Sequence, residues 1–401
     1  MTTTINNEHK KLNVPNKREQ NQTCLDSAER EGLRPKGNVP TLRFPEFQGE
    51  WEKCKLVDII NFSTTRVNSS ELNKDNYVST ENMLQDYQGI VKAKSVPEDV
   101  NVVSFSCGDI LISNIRPYLK KVWKATFNGG CSSDVFVLKA NDNIESDYLH
   151  YVIANDKFIN FVMSGAKGVK MPRGDKKQME TYSLSLPQIQ EQHKIARLLS
   201  LLDERISTQN KIINKLQSLI KGIRNNVFGK LRKSVGFNAM ISDVLSYEQP
   251  QPYIVENTEY TAEGTPVLTA NKAFVLGYTS ETNGIYDKGD CIIFDDFTLD
   301  CKYVDFPYKI KSSAIKILTA KNKEILRYTF EFLKYLDLST DEHKRHYIAE
   351  TQNQEFVLPT MQIVRTIAHA FSALSLRMES VVKQRNKFET QKQYLLRQMF
   401  I

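Results

Sequence analysis

The chain has 401 residues, 40% hydrophobic and 25% charged, with a formal net charge of +7; this is ordinary globular composition and enough length for two or three domains. No apolar run approaches the roughly 18 residues of a membrane span and no signal-like apolar stretch opens the sequence, so no membrane partner and a cytoplasmic location are expected. Six cysteines (Cys24, Cys54, Cys107, Cys131, Cys291, Cys301) form no CxxC pair and have no His spacing beside them, which argues against a zinc site or a disulfide framework.

Residues 1–40 hold no aromatic residue and are rich in Asn, Thr, Lys and Glu, as in a disordered tail. Folded sequence begins near Leu42. Residues 104–140 read as short strands with turns at Gly108-Asp109 and Asn128-Gly129-Gly130, and 147–163 reads as one helix. After Leu186-Pro187, apolar residues step by four and three: Ile195, Leu199, Leu202, Ile206, then Gln209, then Ile213, Leu216, Ile220, Ile223 and Val227. That is a heptad seam with one polar exception. The next stretch, 265–320, is β-rich, and 322–337 is helical. After Leu358-Pro359 a second seam runs through Ile367, Phe371, Leu374, Met378, Val381, Arg385, Phe388, Lys392, Leu395 and Met399, polar at two places. Each helix should cover roughly 34 residues, about 50 Å. Amphipathic helices packed on their own domains would be the plainer alternative, but a strict 3.5 period over five heptads exceeds what that requires.

The two halves repeat. A shift of 172 places Leu186, Pro187, Gln190, Ile195, Ala196, Ser200, Leu202, Arg205, Lys211, Asn214, Lys215 and Phe228 on identical residues from Leu358 to Phe400 without a gap. Gly108-Asp109 with its apolar run resembles Gly289-Asp290 with Cys291-Ile292-Ile293, and 56–60 matches 241–245. The expected fold is therefore α+β: two mixed α/β domains in a pseudo-two-fold repeat, at 41–187 and 236–359, separated by two long helices at 188–230 and 360–401 that pair as an antiparallel coiled coil. Arg385 and Lys392 would either fix its register or sit at a solvated part of the seam.

Basic and aromatic residues cluster in each half. In the first they are Asn114, Arg116, Tyr118, Lys120 and Lys121, and then Lys167, Lys170, Arg173 and Lys176 in a glycine-bearing loop. In the second they are Asn271, Lys272, Lys302, Tyr303, Lys309, Lys311, Lys344 and Arg345. Such groups reach phosphates and base edges, though each taken alone equally suits a solvated loop. The helices carry eight Lys/Arg against three Asp/Glu at 188–230 and seven against two at 360–401. With 5 + 5 = +10 there and +7 overall, the remainder is about −3, so the domains must use local patches. Catalytic signatures are lacking: there is no Pro-Pro for an Asn/Asp-Pro-Pro-aromatic methyltransferase site and no GxxxxGK[ST]. Asp295 or Asp296 with Glu342-His343-Lys344 is a weak nuclease pattern. His193, His343, His346 and His369 lack triad partners at a recognisable spacing.

Thr41-Leu42-Arg43-Phe44-Pro45-Glu46-Phe47-Gln48-Gly49-Glu50-Trp51, followed by Lys55-Leu56-Val57-Asp58-Ile59, resembles the opening of type I restriction-modification specificity (S) subunits. Leu186-Pro187-Gln188-Ile189-Gln190-Glu191-Gln192-His193-Lys194-Ile195-Ala196, leading into Leu202-Asp203-Glu204-Arg205-Ile206, resembles their central conserved region. The second copy departs from the pattern, with Thr360-Met361-Gln362-Ile363-Val364 where a polar run is typical. The resemblance implies a non-catalytic reader of double-stranded DNA with two target-recognition domains. It also implies two modification (methyltransferase) and two restriction subunits as partners, to which S-adenosylmethionine, ATP and Mg²⁺ would belong; this chain would hold no cofactor or metal. A coiled-coil scaffold with protein-binding end domains, or a stand-alone nuclease, would be the alternatives.

Overall fold

The computed structural model describes residues 37–401 apart from 169, 271–273, 341 and 343. The expected tail up to residue 36, and the candidates Asn271 and Lys272, lie outside the described residues. The chain divides into two compact units, Met1–Glu204 with Phe388–Ile401, and Arg205–Lys387. Each unit therefore takes a part of both long helices.

In the first unit β1 (Glu52–Lys55) leads into a single helical turn, α1 (Leu56–Ile59), capped where the Asp58 carboxylate accepts from the Lys55 amide at 2.7 Å. There follow β2 (Ile60–Phe62), β3 (Arg66–Asn68), β4 (Tyr77–Val78), β5 (Asn101–Phe105), β6 (Ile110–Ser113), β7 (Val122–Lys124), β8 (Gly129–Cys131) and β9 (Val135–Ala140). The helices α2 (Ser146–Ile153), α3 (Asp156–Ser164) and α4 (Lys176–Glu180) come next, then β10 (Ser183–Leu186). The single helix expected over 147–163 is two, because the Asn155 side chain accepts from the Lys157 amide at 3.0 Å and starts the second.

β1 pairs antiparallel with β10, Cys54 opposite Leu184. A four-stranded sheet runs β2-β9-β6-β7 and a second β3-β5-β8-β4. Alternation along β6 serves both faces: Ile110 and Ile112 enter a core with Leu56, Tyr148 and Phe158, whereas Leu111 enters another with Phe105, Trp123 and Val137. A strand covered on both sides is apolar throughout, which is why β6 reads as an unbroken run.

The second unit repeats this design. β11 (Ala239–Met240) pairs with β19 (Glu355–Phe356), and the turn α6 (Ile241–Val244) is capped by Asp243 accepting from the Met240 amide at 2.8 Å. β12 (Leu245–Glu248), β15 (Cys291–Asp295), β16 (Cys301–Val304) and β18 (Ile315–Ala320) form a sheet ordered β12-β18-β15-β16, matching β2-β9-β6-β7 strand for strand. The other sheet differs: β13 (Thr265–Leu268), β14 (Val275–Thr279) and β17 (Lys309–Ile310) run β14-β13-β17. The segment expected to be helical at 322–337 is a 3-10 turn, Lys323–Ile325, followed by α7 (Leu326–Leu336). The described cysteines are unpaired thiols, and burial pushes Cys131 and Cys291 up to about 12.

The long helices are α5 (Ile189–Ser234, 46 residues) and α8 (Met361–Gln398, 38 residues), both longer than the seam alone indicates. In the first unit the buried Ile195, Leu199 and Leu202 share a core with Leu395, Met399 and Phe400, with Phe388 half-buried beside it, so the start of α5 meets the end of α8. In the second, Ile220, Ile223, Val227 and Phe228 pack with Val364, Ile367, Phe371 and Leu374, and the end of α5 meets the start of α8. The helices are antiparallel in both. Ile206, Ile213, Leu216 and Met378 are half-buried and Val381 is buried, while Lys211, Lys215, Leu219 and Leu376 are exposed between them. Lys392 is an ion-pair partner, its Nζ 2.6 Å from Asp203, which also accepts from the Tyr151 hydroxyl at 2.8 Å.

Each unit closes on an aromatic pair of the same kind. Tyr148 stacks on Phe400 and Tyr328 packs on Phe228, with centroids 5.2 Å apart in both, and Phe228 and Phe400 are equivalent under the 172-residue shift. The polar anchors differ. Glu191, fully buried, accepts from Arg43 at 2.8 Å on both oxygens and from the Trp51 indole at 3.2 Å, tying the 41–51 segment to α5. The residue of α8 at the matching position, Ile363, is 39% exposed. Gln192 is also buried: its amide donates to the Asn143 and Pro187 carbonyls and accepts from the Glu145 amide. Val364, at the matching position, is buried without polar demands. This accounts for the departure of the second motif. In the second unit the buried carboxylate is Glu331, held by Arg224 at 2.7 Å and Arg327 at 2.9 Å.

Candidate nucleic-acid interface

In the first unit two basic segments far apart in sequence become one surface. The loop after β6 and the loop 165–177 join edge to edge: Arg116 N–H donates to Pro172 O at 2.7 Å and Gly174 N–H to Asn114 O at 2.8 Å. Lys167 and Arg173 exchange backbone bonds of 3.0 and 2.9 Å. The second unit builds the same junction. Asn114 N–H donates to Asp134 O at 2.9 Å, as Asp296 N–H does to Ala314 O at 2.8 Å; where Gly174 meets Asn114 O, His346 N–H meets Asp296 O at 3.1 Å. Gly174 and His346, and Arg173 and Arg345, are related by the same shift of 172.

The candidate side chains divide by environment. Arg116, Tyr118, Lys167, Lys170, Arg173 and Lys176 are exposed, and Lys120 and Lys121 half-buried. Lys167 is paired with Asp175 at 3.0 Å, Arg173 with Asp134 at 2.9 Å and Lys120 with Asp156 at 2.8 Å. Lys121 donates to the Thr80 carbonyl, and Lys176 lies over the Phe62 ring at 4.6 Å. Among the described residues Arg116 and Lys170 have no side-chain partner, so they are the cations best placed to meet an external anion. Asn114 is 8% exposed, and its side-chain oxygen has no partner among the described residues.

In the second unit Lys311 is exposed and Lys302 half-buried, while Tyr303 donates to Asp290 at 2.6 Å. Lys309 is not a surface cation. It is 3% exposed, 2.6 Å from Glu281, and donates to Asn283 O at 2.7 Å, so its charge is spent on an internal strut. Lys344 is held between Glu342 and Glu350, which raises its pKa, and Arg345 lies 3.8 Å from Asp296 and over the Phe297 ring.

Sequence reasoning missed the group beneath this loop. Asp296, 1% exposed, accepts from the His346 and Tyr347 amides at 3.1 and 2.8 Å and faces the buried Lys316, whose Nζ donates to Gln249 at 2.8 Å. Asp295 caps the following turn by accepting from Phe297 and Thr298 N–H, both at 2.9 Å. The two carboxylates of the nuclease pattern are thus occupied in holding loops. His343 lies outside the described residues, and among those described no group of three or more His, Cys, Asp and Glu is arranged to hold a metal ion. The signal that could have pointed to this group was the repeat itself, which sets Arg345 over Arg173. No helix among the described residues is long and apolar enough to cross a membrane.

The same fold is built twice, each copy presenting a basic loop junction, and part of the sequence resembles a known family. Residues 48–218 match the family described as type I restriction modification DNA specificity domain. Among individual proteins, the EcoR124I/EcoR124II specificity subunit of Escherichia coli is 38% identical over 165 residues, 37% of this chain and 41% of that one. The MjaVIII specificity subunit of Methanocaldococcus jannaschii is 36% identical over 103 residues, 25% of this chain and 24% of that one. The chain thus spans less than half the length of these relatives in matched sequence. The crystal structure of the type I restriction-modification S subunit from M. genitalium superposes with a TM-score of 0.63 at 16% identity, over 90% of this chain and 99% of that one. The chain is thus similar in sequence to type I specificity subunits over residues 48–218, and it shares the fold of the M. genitalium S subunit along nearly all its length.

Proposed function

We propose that this chain is the non-catalytic DNA-reading subunit of a type I restriction-modification complex. Each unit carries one recognition surface, and the long helices dock the methyltransferase subunits. The observation that carries this reading is the loop junction built twice at equivalent positions with different side chains. In the first unit Arg116, Lys170 and their neighbours Asn114, Tyr118, Lys120, Lys121, Lys167, Arg173 and Lys176 contact one half-site. In the second, Lys302, Tyr303, Lys311, Lys344 and Arg345 contact the other, with Asn271 and Lys272 on a segment outside the described residues. Two unlike surfaces on one scaffold read unlike half-sites, so the target is bipartite and non-palindromic. The helices fix the number, not the identity, of the bases between, since half-site spacing is a property of the reader's geometry. Two modification and two restriction subunits complete the assembly in the cytoplasm and supply the sites for S-adenosylmethionine, ATP and Mg²⁺.

The test is methylation mapping in cells carrying the chain with its modification partner, before and after residues 236–357 are exchanged for those of a relative. One half-site should change and the other stay; a change in both, or a palindromic parent target, overturns the reading. Arg116→Glu with Lys170→Glu should weaken DNA binding and flatten its salt dependence by about one unit of log–log slope per lost phosphate contact. A chain that assembles but binds no DNA would instead be a scaffold with protein-binding ends.

A further inference from the structure

The loop after β6 carries a feature that phosphate contact does not explain. Tyr118 is 48% exposed and Met171 46% exposed. They sit on the two joined loops, Tyr118 two residues beyond Arg116 and Met171 one before Pro172, the two residues joined by the 2.7 Å backbone bond. Isolated exposed apolar side chains are common, but these two lie on loops joined to one another, within a surface rich in basic side chains. Tyr118 is also held stiffly. Tyr118 is the middle of the 3-10 turn Pro117–Leu119, anchored by the buried Pro117. Backbone bonds from Asp86 to Leu119 O at 3.1 Å and from Tyr87 to Lys120 O at 3.0 Å fasten the turn on its other side.

Strain marks the same spot. Arg116 and Lys120, which bracket the turn, both adopt left-handed backbone conformations, with φ of 49° and 54°. Non-glycine residues are held there only where the surroundings over-determine them, and such residues gather at functional sites. The result is an exposed ring on a rigid turn that begins directly after Arg116, on a loop joined to the one that carries Lys170. Among the described residues the matching loop of the second unit is built differently. There Asp295 caps its own turn, and Phe297 lies half-buried beneath Arg345.

We propose that Tyr118, backed by Met171, is an apolar prong that lodges at one base step of the first half-site, its ring stacked on a base face while Arg116 and Lys170 hold the flanking phosphates. This rests on the DNA-reading function proposed above. Stacking on an aromatic ring needs no hydrogen-bond code, and apolar wedges favour steps that unstack easily, above all pyrimidine–purine steps. The prong therefore selects by deformability. The first half-site should contain a pyrimidine–purine step whose identity depends on Tyr118.

The experiment uses the full chain assembled with its modification subunits, in cells whose methylated sites are mapped, and then duplexes carrying the mapped site. Tyr118→Ala should weaken binding to the mapped duplex by about 10- to 100-fold and erase the preference at one step of the first half-site, leaving the second half-site and the salt slope unchanged. Tyr118→Phe should behave as the parent, because stacking needs the ring and not the hydroxyl. Met171→Ala should act in the same direction as Tyr118→Ala, less strongly. The prong is overturned if Tyr118→Ala leaves the motif and affinity unchanged, if Tyr118→Phe is as damaging as Tyr118→Ala, or if Tyr118→Ala prevents assembly with the modification subunits, which would make Tyr118 a protein contact. Absence of any sequence-specific binding by the parent complex would defeat the DNA-reading function itself, a distinct result.

Discussion

The two units share a central sheet, strand for strand, and part company in the sheet stacked on it. In the first unit β8 lies between β5 and β4; in the second β13 takes the middle, between β14 and β17. The conserved layer is the one that packs against the long helices, through Leu56, Tyr148 and Ile195 in one unit and Ile241, Tyr328 and Ile367 in the other. The divergent layer lies on the opposite face of that sheet, on a separate core around Trp123 or Tyr308. Packing against a helix seam constrains side-chain volume at every position; the far layer answers only to its own core and is free to be rebuilt.

The anchors of the helices offer the largest test of how alike the units are. Glu331→Ala would leave Arg224 and Arg327 without their buried carboxylate and should cost about 3–5 kcal/mol. Glu191→Ala, which deprives one guanidinium and one indole N–H, should cost less. Both tryptophans, Trp51 and Trp123, belong to the first unit. Urea unfolding of Glu331→Ala should therefore move the circular dichroism transition while tryptophan fluorescence stays in place. If both signals move together, the units do not unfold separately and the comparison fails.

The aromatic closures come next. Phe228 is fully buried among Tyr328, Phe332 and Tyr335, whereas Phe400 is 8% exposed and pairs with Tyr148. Phe228→Ala should cost about 3–4 kcal/mol and Phe400→Ala about 2, measured by the same denaturation. Equal costs would mean that the repeat extends to energetics. Exchanging the polar position is a finer probe. Val364→Gln buries an amide with no partner and should cost about 1–3 kcal/mol, and Gln192→Val should cost a similar amount by orphaning the Glu145 amide.

The smallest effect concerns pH. His346 Nδ1 lies 2.9 Å from Glu350, and this hydrogen bond raises the imidazole above its ordinary value of 6.5, while Glu350 is lowered by Lys344 and His346. A raised folded-state value means that the stabilisation is full below pH 6.5 and fades as pH climbs through the raised value. Gly174 occupies the matching place in the first unit. Protection factors of the 344–350 amides, corrected for the intrinsic rise of exchange with pH, should therefore fall over that window, with no change at 165–177, and His346→Gln should remove the fall.

How much of this could be read beforehand follows from the kind of signal each feature leaves. The helices and their seam were legible because burial at every third or fourth position writes a period into the sequence, and the twin domains because identities such as Leu186 and Leu358 survive under one shift. The joining of the loop after β6 to 165–177 was not legible. It is made by backbone N–H and C=O groups, which any residues supply. Lys309 misled for a related reason: a lysine in a basic cluster gives no sign that Glu281 waits to bury it. The break at Asn155 was hidden inside an apolar pattern that continued unbroken on either side.

The closures on Phe400 and Phe228 have a consequence for chains shorter than this one. Each unit is finished by the end of a helix that began in the other half of the sequence, so each half owns a socket, Tyr148 or Tyr328, and a plug, Phe228 or Phe400, that do not fit together within that half. A polypeptide stopping after Ser234 would keep the Tyr148 socket and the Phe228 plug. Two copies could then trade plugs and complete each other. The repeat within one long chain would become a pair of identical chains, and under the function proposed above a reader of two unlike words would become a reader of one word written twice.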